Sequence, residues 1–201
     1  DVNVEEQPTG SLGFGLGFGT DSGLSANVTL TENNFLGRGQ SVGITLSTTS
    51  DNRELSLNFV EPKLYDRDLS LGLNFSYRTF DNDRLSYNTV RTSFQPSLGF
   101  PIGEHSRLST SLLLASDKVV ADTASSPLLQ AENGSRSTIG LGLGYTFDRR
   151  NSPIDPTAGF IFNFDQTVAG LGGDNKYFKA VANAKAYRSL FNEEVVLSAE
   201  F

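Results

Sequence analysis

The run Gly13-Phe14-Gly15-Leu16-Gly17-Phe18-Gly19 is the first place along the chain where residue type and spacing invite a chemical reading. Closely spaced glycines let backbone approach a phosphate, and a dinucleotide loop uses them as G-x-G-x-x-G between a strand and a helix. Here the glycines keep a strict period of two, position 18 is Phe, and no helical pattern follows. The run reads as a strand with one glycine face, a device that Gly140, Gly142 and Gly144 repeat. Asp81-Asn82-Asp83 offers oxygen ligands but lacks the remaining positions of a calcium loop, and reads as a solvated loop tip. Asn27-Val28-Thr29, Asn74-Phe75-Ser76 and Asn133-Gly134-Ser135 match the glycosylation acceptor pattern, and the first two fall inside strand patterns. His105, the one histidine, follows Gly103-Glu104 and reads as a turn residue. With no cysteine, the chain offers no thiolate ligand or nucleophile, and no base is placed to activate a serine. No catalytic residue, metal site or cofactor is expected, and the chain does not read as an enzyme.

The elements that carry these residues must be read by period, because the averages mislead. The 201 residues suffice for one domain or a piece of a larger one. The net charge of −7 argues against a nucleic-acid partner, which needs a basic face for phosphate. No basic and apolar leader is present and no Met opens the chain, as expected of a mature or excised segment. No stretch approaches the length of a transmembrane helix, and mean hydropathy is −0.24. A membrane β-barrel gives the same near-neutral average, since apolar outward residues alternate with polar inward ones.

Period two appears almost everywhere. Leu12, Phe14, Leu16 and Phe18 alternate with Ser11 and the glycines; Leu24, Ala26, Val28 and Leu30 alternate with Ser25, Asn27 and Thr29. The clearest run sets Leu69, Leu71, Leu73, Phe75 and Tyr77 against Ser70, Gly72, Asn74, Ser76 and Arg78. The pattern continues through Ile139–Phe147 and Phe160–Val168 to Val195–Phe201, predicting about eleven strands of roughly 9–11 residues and no helix. A soluble sandwich would wet its polar face with Lys and Glu. Here that face is mostly Gly, Ser, Thr and Asn, which suits a lumen, and the charges well inside strands (Glu54, Arg91, Arg107, Asp165, Lys179, Lys185 and Glu200) all fall on it. A Lys or Arg on a lipid face near midplane costs roughly 2–4 kcal/mol. The expected fold is therefore all-β, an antiparallel up-and-down transmembrane β-barrel.

Several segments together resemble one family, the BamA-type outer-membrane β-barrel assembly insertases of the surface-antigen superfamily. Val4–Ser11 resembles the exit from the last periplasmic POTRA domain into the first barrel strand, and Gly17–Gly23 the end of that strand with its hairpin. Asn34-Phe35-Leu36-Gly37-Arg38-Gly39-Gln40 resembles the first periplasmic turn. Glu61-Pro62, Leu98–Ile102, Pro156–Gly159 and Gly173–Lys179 follow in matching order. The resemblance implies that residues 1–9 end the POTRA region and that residues 10–201 form part of a barrel of about sixteen strands. The family's loop-six Arg-Gly-Phe motif is expected beyond residue 201.

The resemblance further implies a lateral gate at the first strand, with Gly13, Phe14, Gly15, Leu16, Gly17, Phe18 and Gly19 pairing with client strands. Expected partners are unfolded outer-membrane proteins, accessory lipoproteins and outer-membrane lipid, in the bacterial outer membrane. The glycines have a second explanation, a tight barrel wall, and both uses follow from their small size. Two other functions compete: a passive channel or secretion barrel, which would show a ring of lumen charges, and a small structural barrel complete in itself.

Overall fold

A computed structural model describes residues 8–20, 23–81, 87–122, 126–190 and 195–201. The expected segment Val4–Gln7, the hairpin residues Asp21 and Ser22, and Asn82 and Asp83 lie outside the described residues. Eleven strands form one antiparallel sheet in chain order: β1 (Gly10–Gly19), β2 (Gly23–Phe35), β3 (Gln40–Thr48), β4 (Asn52–Glu61), β5 (Ser70–Asp81), β6 (Tyr87–Pro101), β7 (Ser106–Ala121), β8 (Gly134–Asp148), β9 (Ala158–Gly173), β10 (Tyr177–Leu190) and β11 (Val195–Glu200). Each strand pairs with its neighbours in sequence, the up-and-down order expected from the alternation.

The register keeps the two faces separate across the whole sheet. Leu16 stands opposite Ala26, Val28 opposite Leu46, Leu46 opposite Leu55, Leu55 opposite Tyr77 and Phe75 opposite Phe94. The polar face matches in the same way, with Asn27 opposite Ser47 and Asn58 opposite Asn74. A slip of one residue would exchange the faces, so this pattern fixes the pairing. The in-strand charges Glu54, Arg91, Arg107, Asp165, Lys179, Lys185 and Glu200 all lie on the polar register.

Among the described residues the sheet has no second layer and no conventional core. Ala115 and Ala169 are the buried hydrophobic residues, and no large side chain is fully buried. The accessible surface is 14077 Å², against roughly 9,000 Å² for a compact monomer of this mass. The apolar face therefore points outward, with Phe14, Leu16, Leu143 and Phe178 among its exposed side chains. A sandwich would have buried that face; lipid is the medium that suits it.

The strands run from 6 to 16 residues, so several exceed the expected length. Alternation marks only the stretch where one face is apolar, whereas backbone pairing continues where both faces are polar. Thus β7 pairs with β8 through Ser116, Asp117 and Lys118, where no apolar alternation marks a strand. The absence of helix also needs correction. A single helical turn, α1 (Pro127–Ala131), lies between β7 and β8, capped by the Ser126 side chain, which accepts from Leu129 N, and a 3-10 turn spans Leu64–Asp66. These turns are too short to leave a helical period in the sequence.

Local chemistry sets the turns. In the β2–β3 connection Leu36, Gly37 and Gly39 all take positive φ, and Gly39 N donates to Asn34 Oδ1 at 2.7 Å. Gly159, at φ 97°, opens β9 where an added Cβ would strike the Arg149 backbone. Pro96 interrupts the β6–β7 ladder between Phe94–Leu114 and Ser97–Ser111, because proline has no N–H to give.

Candidate functional site

Strand β1 is an edge. It pairs with β2 from Gly10–Glu32 to Gly19–Gly23, and its other side has no partner among the described residues. An unpaired edge presents a row of N–H and C=O groups, each able to form a ladder bond with an added strand. The predicted residues separate cleanly: Gly13, Gly15, Gly17 and Gly19 share the polar face, opposite Thr29, Asn27, Ser25 and Gly23. Phe14, Leu16 and Phe18 share the apolar face and are 75%, 83% and 80% exposed.

The space around the glycines separates two uses that sequence alone left open. A Cβ added at Gly13 would meet only Thr29 O at 3.9 Å, and one at Gly15 only the Asn27 Cβ at 3.8 Å. At Gly17 it would meet the Ser25 hydroxyl at 2.7 Å, a group able to rotate. In β8 the same spacing is crowded. Gly140 packs 3.0 Å from Val168 O, Gly142 against the Ser111 hydroxyl, and Gly144 against Ser109 and the Asp165 carboxylate. All three are buried. Fixed backbone therefore excludes a side chain at Gly140, side-chain ends that would have to move crowd Gly142 and Gly144 as one does Gly17, and nothing crowds Gly13 or Gly15.

The β1 entrance is anchored. Asn33 N donates to Thr9 O at 3.2 Å, and the Thr9 hydroxyl donates to the Glu32 carboxylate. Far along the sheet, the Asp174 carboxylate accepts from Ser137 N at 2.8 Å and from the Ser137 hydroxyl at 3.0 Å. Those bonds hold the Asp174 carboxyl below the usual carboxylate range and tie the β9–β10 turn to β8. His105 sits in the β6–β7 turn, its carbonyl accepting from Asp148 N at 2.8 Å and its ring edge-on to Phe147.

One polar feature escaped the sequence reading. A row of charges crosses β4 to β8 on the lumen face: Glu54 pairs with Arg78 at 2.9 Å, Arg91 with Asp117 at 3.4 Å, and Arg136 with Glu132 of the connection before β8. Arg78 stands opposite Arg91, and Asp117 opposite Arg136, so the pairs form one continuous band. The signal was hidden because Asp117 falls where the apolar alternation has stopped.

Residues 34–201 match the Omp85 superfamily domain. The chain belongs to that superfamily. The crystal structure of BamA from Haemophilus ducreyi lacking POTRA domains 1–3 superposes on this Omp85 chain with a TM-score of 0.71 and 28% identity, covering 98% of this chain and 41% of that one. The outer membrane protein assembly factor BamA of Neorickettsia risticii is 24% identical over 201 residues, 98% of this chain and 27% of its own length. That of Nitratidesulfovibrio vulgaris is 28% identical over 200 residues, 97% of this chain and 25% of its own length. The chain thus spans about a quarter of the length of these curated relatives. The sheet order and the Omp85 match make this segment part of a β-barrel wall.

Proposed function

We propose that this Omp85 segment is the leading wall of an insertase that assembles β-barrel proteins into the bacterial outer membrane. In this reading β1 is a lateral gate: its free edge pairs with the terminal strand of an unfolded outer-membrane protein and releases the growing sheet sideways into lipid. The observation that carries it is the contrast in glycine packing, with room for side chains at Gly13 and Gly15 that the sequence leaves unused. Glycine there weakens register specification, which suits an edge that must accept many client sequences. Each exchanged ladder bond nets only about 0.5–1.5 kcal/mol in water, so strand exchange along a short seam needs no nucleotide. The outward Phe14, Leu16 and Phe18 keep the edge in hydrocarbon while it exchanges partners. Accessory lipoproteins and outer-membrane lipid complete the partner set implied by the family.

The test uses the absence of natural cysteine from this chain. Single cysteines at Gly13, Gly15 or Gly17 are expected to crosslink to the terminal strand of a stalled client. Gly43 serves as control, because it lies two strands into the wall and a Cβ there meets Asn58 at a comfortable 3.7 Å. Equal yields from β1 and Gly43 would remove the gate assignment.

The charged band supports a second reading, a passive channel. Its members carry equal numbers of positive and negative charges and pair with one another, which leaves little net field to select ions. Steady single-channel conductance that changes selectivity on Arg91→Glu would favour the channel over the gate.

A further inference from the structure

The outward face carries two grooves that differ in charge. One, about 300 Å³, lies at the Pro96 interruption between Leu71, Leu98, Leu112 and Leu141, and no charged residue lines it. The other, about 280 Å³, lies near the β3–β4 hairpin between Ala26, Val28, Leu46, Leu55 and Tyr77, with Arg53 at its end.

Arg53 stands on the apolar register, opposite Thr48 and Thr79. Along β4 that face reads Arg53, Leu55, Leu57, Phe59, Glu61. The two charges are eight residues apart, about 26 Å along the strand, so they bracket the hydrocarbon instead of entering it. They are not equivalent. Glu61 is satisfied within the protein, accepting from Gln40 Nε2 at 2.6 Å and Lys63 N at 3.0 Å. The Arg53 guanidinium makes no hydrogen bond or ion pair with any described residue. The neighbouring Glu54, which also lines the groove, belongs to the lumen register, and its carboxylate is held by Arg78 at 2.9 Å. A guanidinium at the edge of an apolar groove, with five donors and no internal acceptor, calls for an anion that arrives with hydrocarbon attached.

We propose that this groove is a binding site for a phosphate-bearing membrane lipid. One acyl chain lies along Ala26, Val28, Leu46 and Leu55, and the headgroup phosphate of the same molecule accepts from Arg53. The site depends on the outward face meeting lipid and is independent of gate opening at β1.

The full-length protein, purified in detergent, is mixed with phosphatidic acid, with diacylglycerol of the same chains, or with inorganic phosphate, and bound molecules are counted by native mass spectrometry. Phosphatidic acid is expected to be retained roughly tenfold over diacylglycerol, the ratio that one charge-assisted hydrogen bond supplies. Arg53→Gln lowers phosphatidic acid to the diacylglycerol level, and Arg53→Lys keeps most of it. Ala26→Trp fills the groove and lowers retention of both lipids. Lys118, on the apolar register opposite Val90 and Ser135, lines neither groove, and Lys118→Gln changes retention by less than about twofold. Equal losses from Arg53→Gln and Lys118→Gln would reduce the effect to surface charge and overturn the site. Displacement of phosphatidic acid by equimolar inorganic phosphate would make it a free-anion site and also overturn it. Should Arg53→Gln fail to fold, as judged by heat-modifiable gel mobility, the lysine and tryptophan variants decide: retention kept by the first and lost by the second supports the site, and the reverse overturns it.

Discussion

Strands β1 and β8 carry nearly the same sequence device and live in opposite surroundings. Gly13, Gly15 and Gly17 alternate with Phe and Leu, as Gly140, Gly142 and Gly144 alternate with Leu. In β8 the glycines lie between two paired neighbours, buried against Ser109, Ser111 and the β9 backbone. In β1 they face β2 alone and have space to spare at two of the three positions. The comparison teaches that a glycine stripe is not one signal. Mid-sheet, it lets neighbouring polar side chains occupy the missing volume. At an edge, it removes side-chain contacts that would commit the strand to one partner register.

Arginine on the apolar face gives the comparison its largest expected contrast. Leu143→Arg, at the middle of the outward row of β8, is expected to destabilise the folded barrel in lipid by about 2–4 kcal/mol. Leu16→Arg on β1 should cost clearly less, because an edge strand can let the side chain reach water. Urea unfolding in phospholipid vesicles measures both, and equal costs would erase the distinction between edge and wall.

Steric substitutions sharpen the same point. Gly140→Val forces a side chain against the Val168 carbonyl and should lose about 1–3 kcal/mol by overpacking. Gly15→Val should change stability by no more than about 0.5 kcal/mol while slowing the folding of added client barrels into proteoliposomes. A large stability loss from Gly15→Val would show that β1 is a packed wall after all.

The smallest expected effect concerns Asp174. Its carboxyl is held below the ordinary range by Ser137, so its contribution is present above the ordinary carboxylate pKa and is lost as pH falls through the lowered folded-state value. Asp174→Asn is therefore expected to loosen the start of β8 at neutral pH and to flatten the acid dependence of amide exchange at Ser137 and Thr138. Unchanged exchange in the variant would show that the turn holds without this carboxylate.

Legibility followed the physics of each feature. The alternation of Leu71, Leu73, Phe75 and Tyr77 with Gly72, Asn74 and Ser76 disclosed both the strand and its two faces, because side chains in a strand must point alternately. The continuation of β7 through Asp117 and Lys118 was not legible, since backbone hydrogen bonds do not depend on side-chain polarity. The charged band was invisible for a related reason: Glu54, Arg78, Arg91, Asp117 and Arg136 are scattered over 83 positions, 54 to 136, and only register sets them side by side. Arg53 was equally obscure, because the meaning of a lone arginine depends on which face it occupies and on who fails to pair with it.

By itself, then, the order of residues determined an all-β chain of about eleven alternating strands, the face that meets lipid and the absence of cysteine. These are consequences of a two-residue period and of composition, which need no partner to be read. Tertiary pairing decided the rest: which glycines are crowded and which are free, which charges meet across strands, and which outward cation borders an apolar groove. Those properties belong to neighbours brought together by register, and a single strand read alone does not contain them.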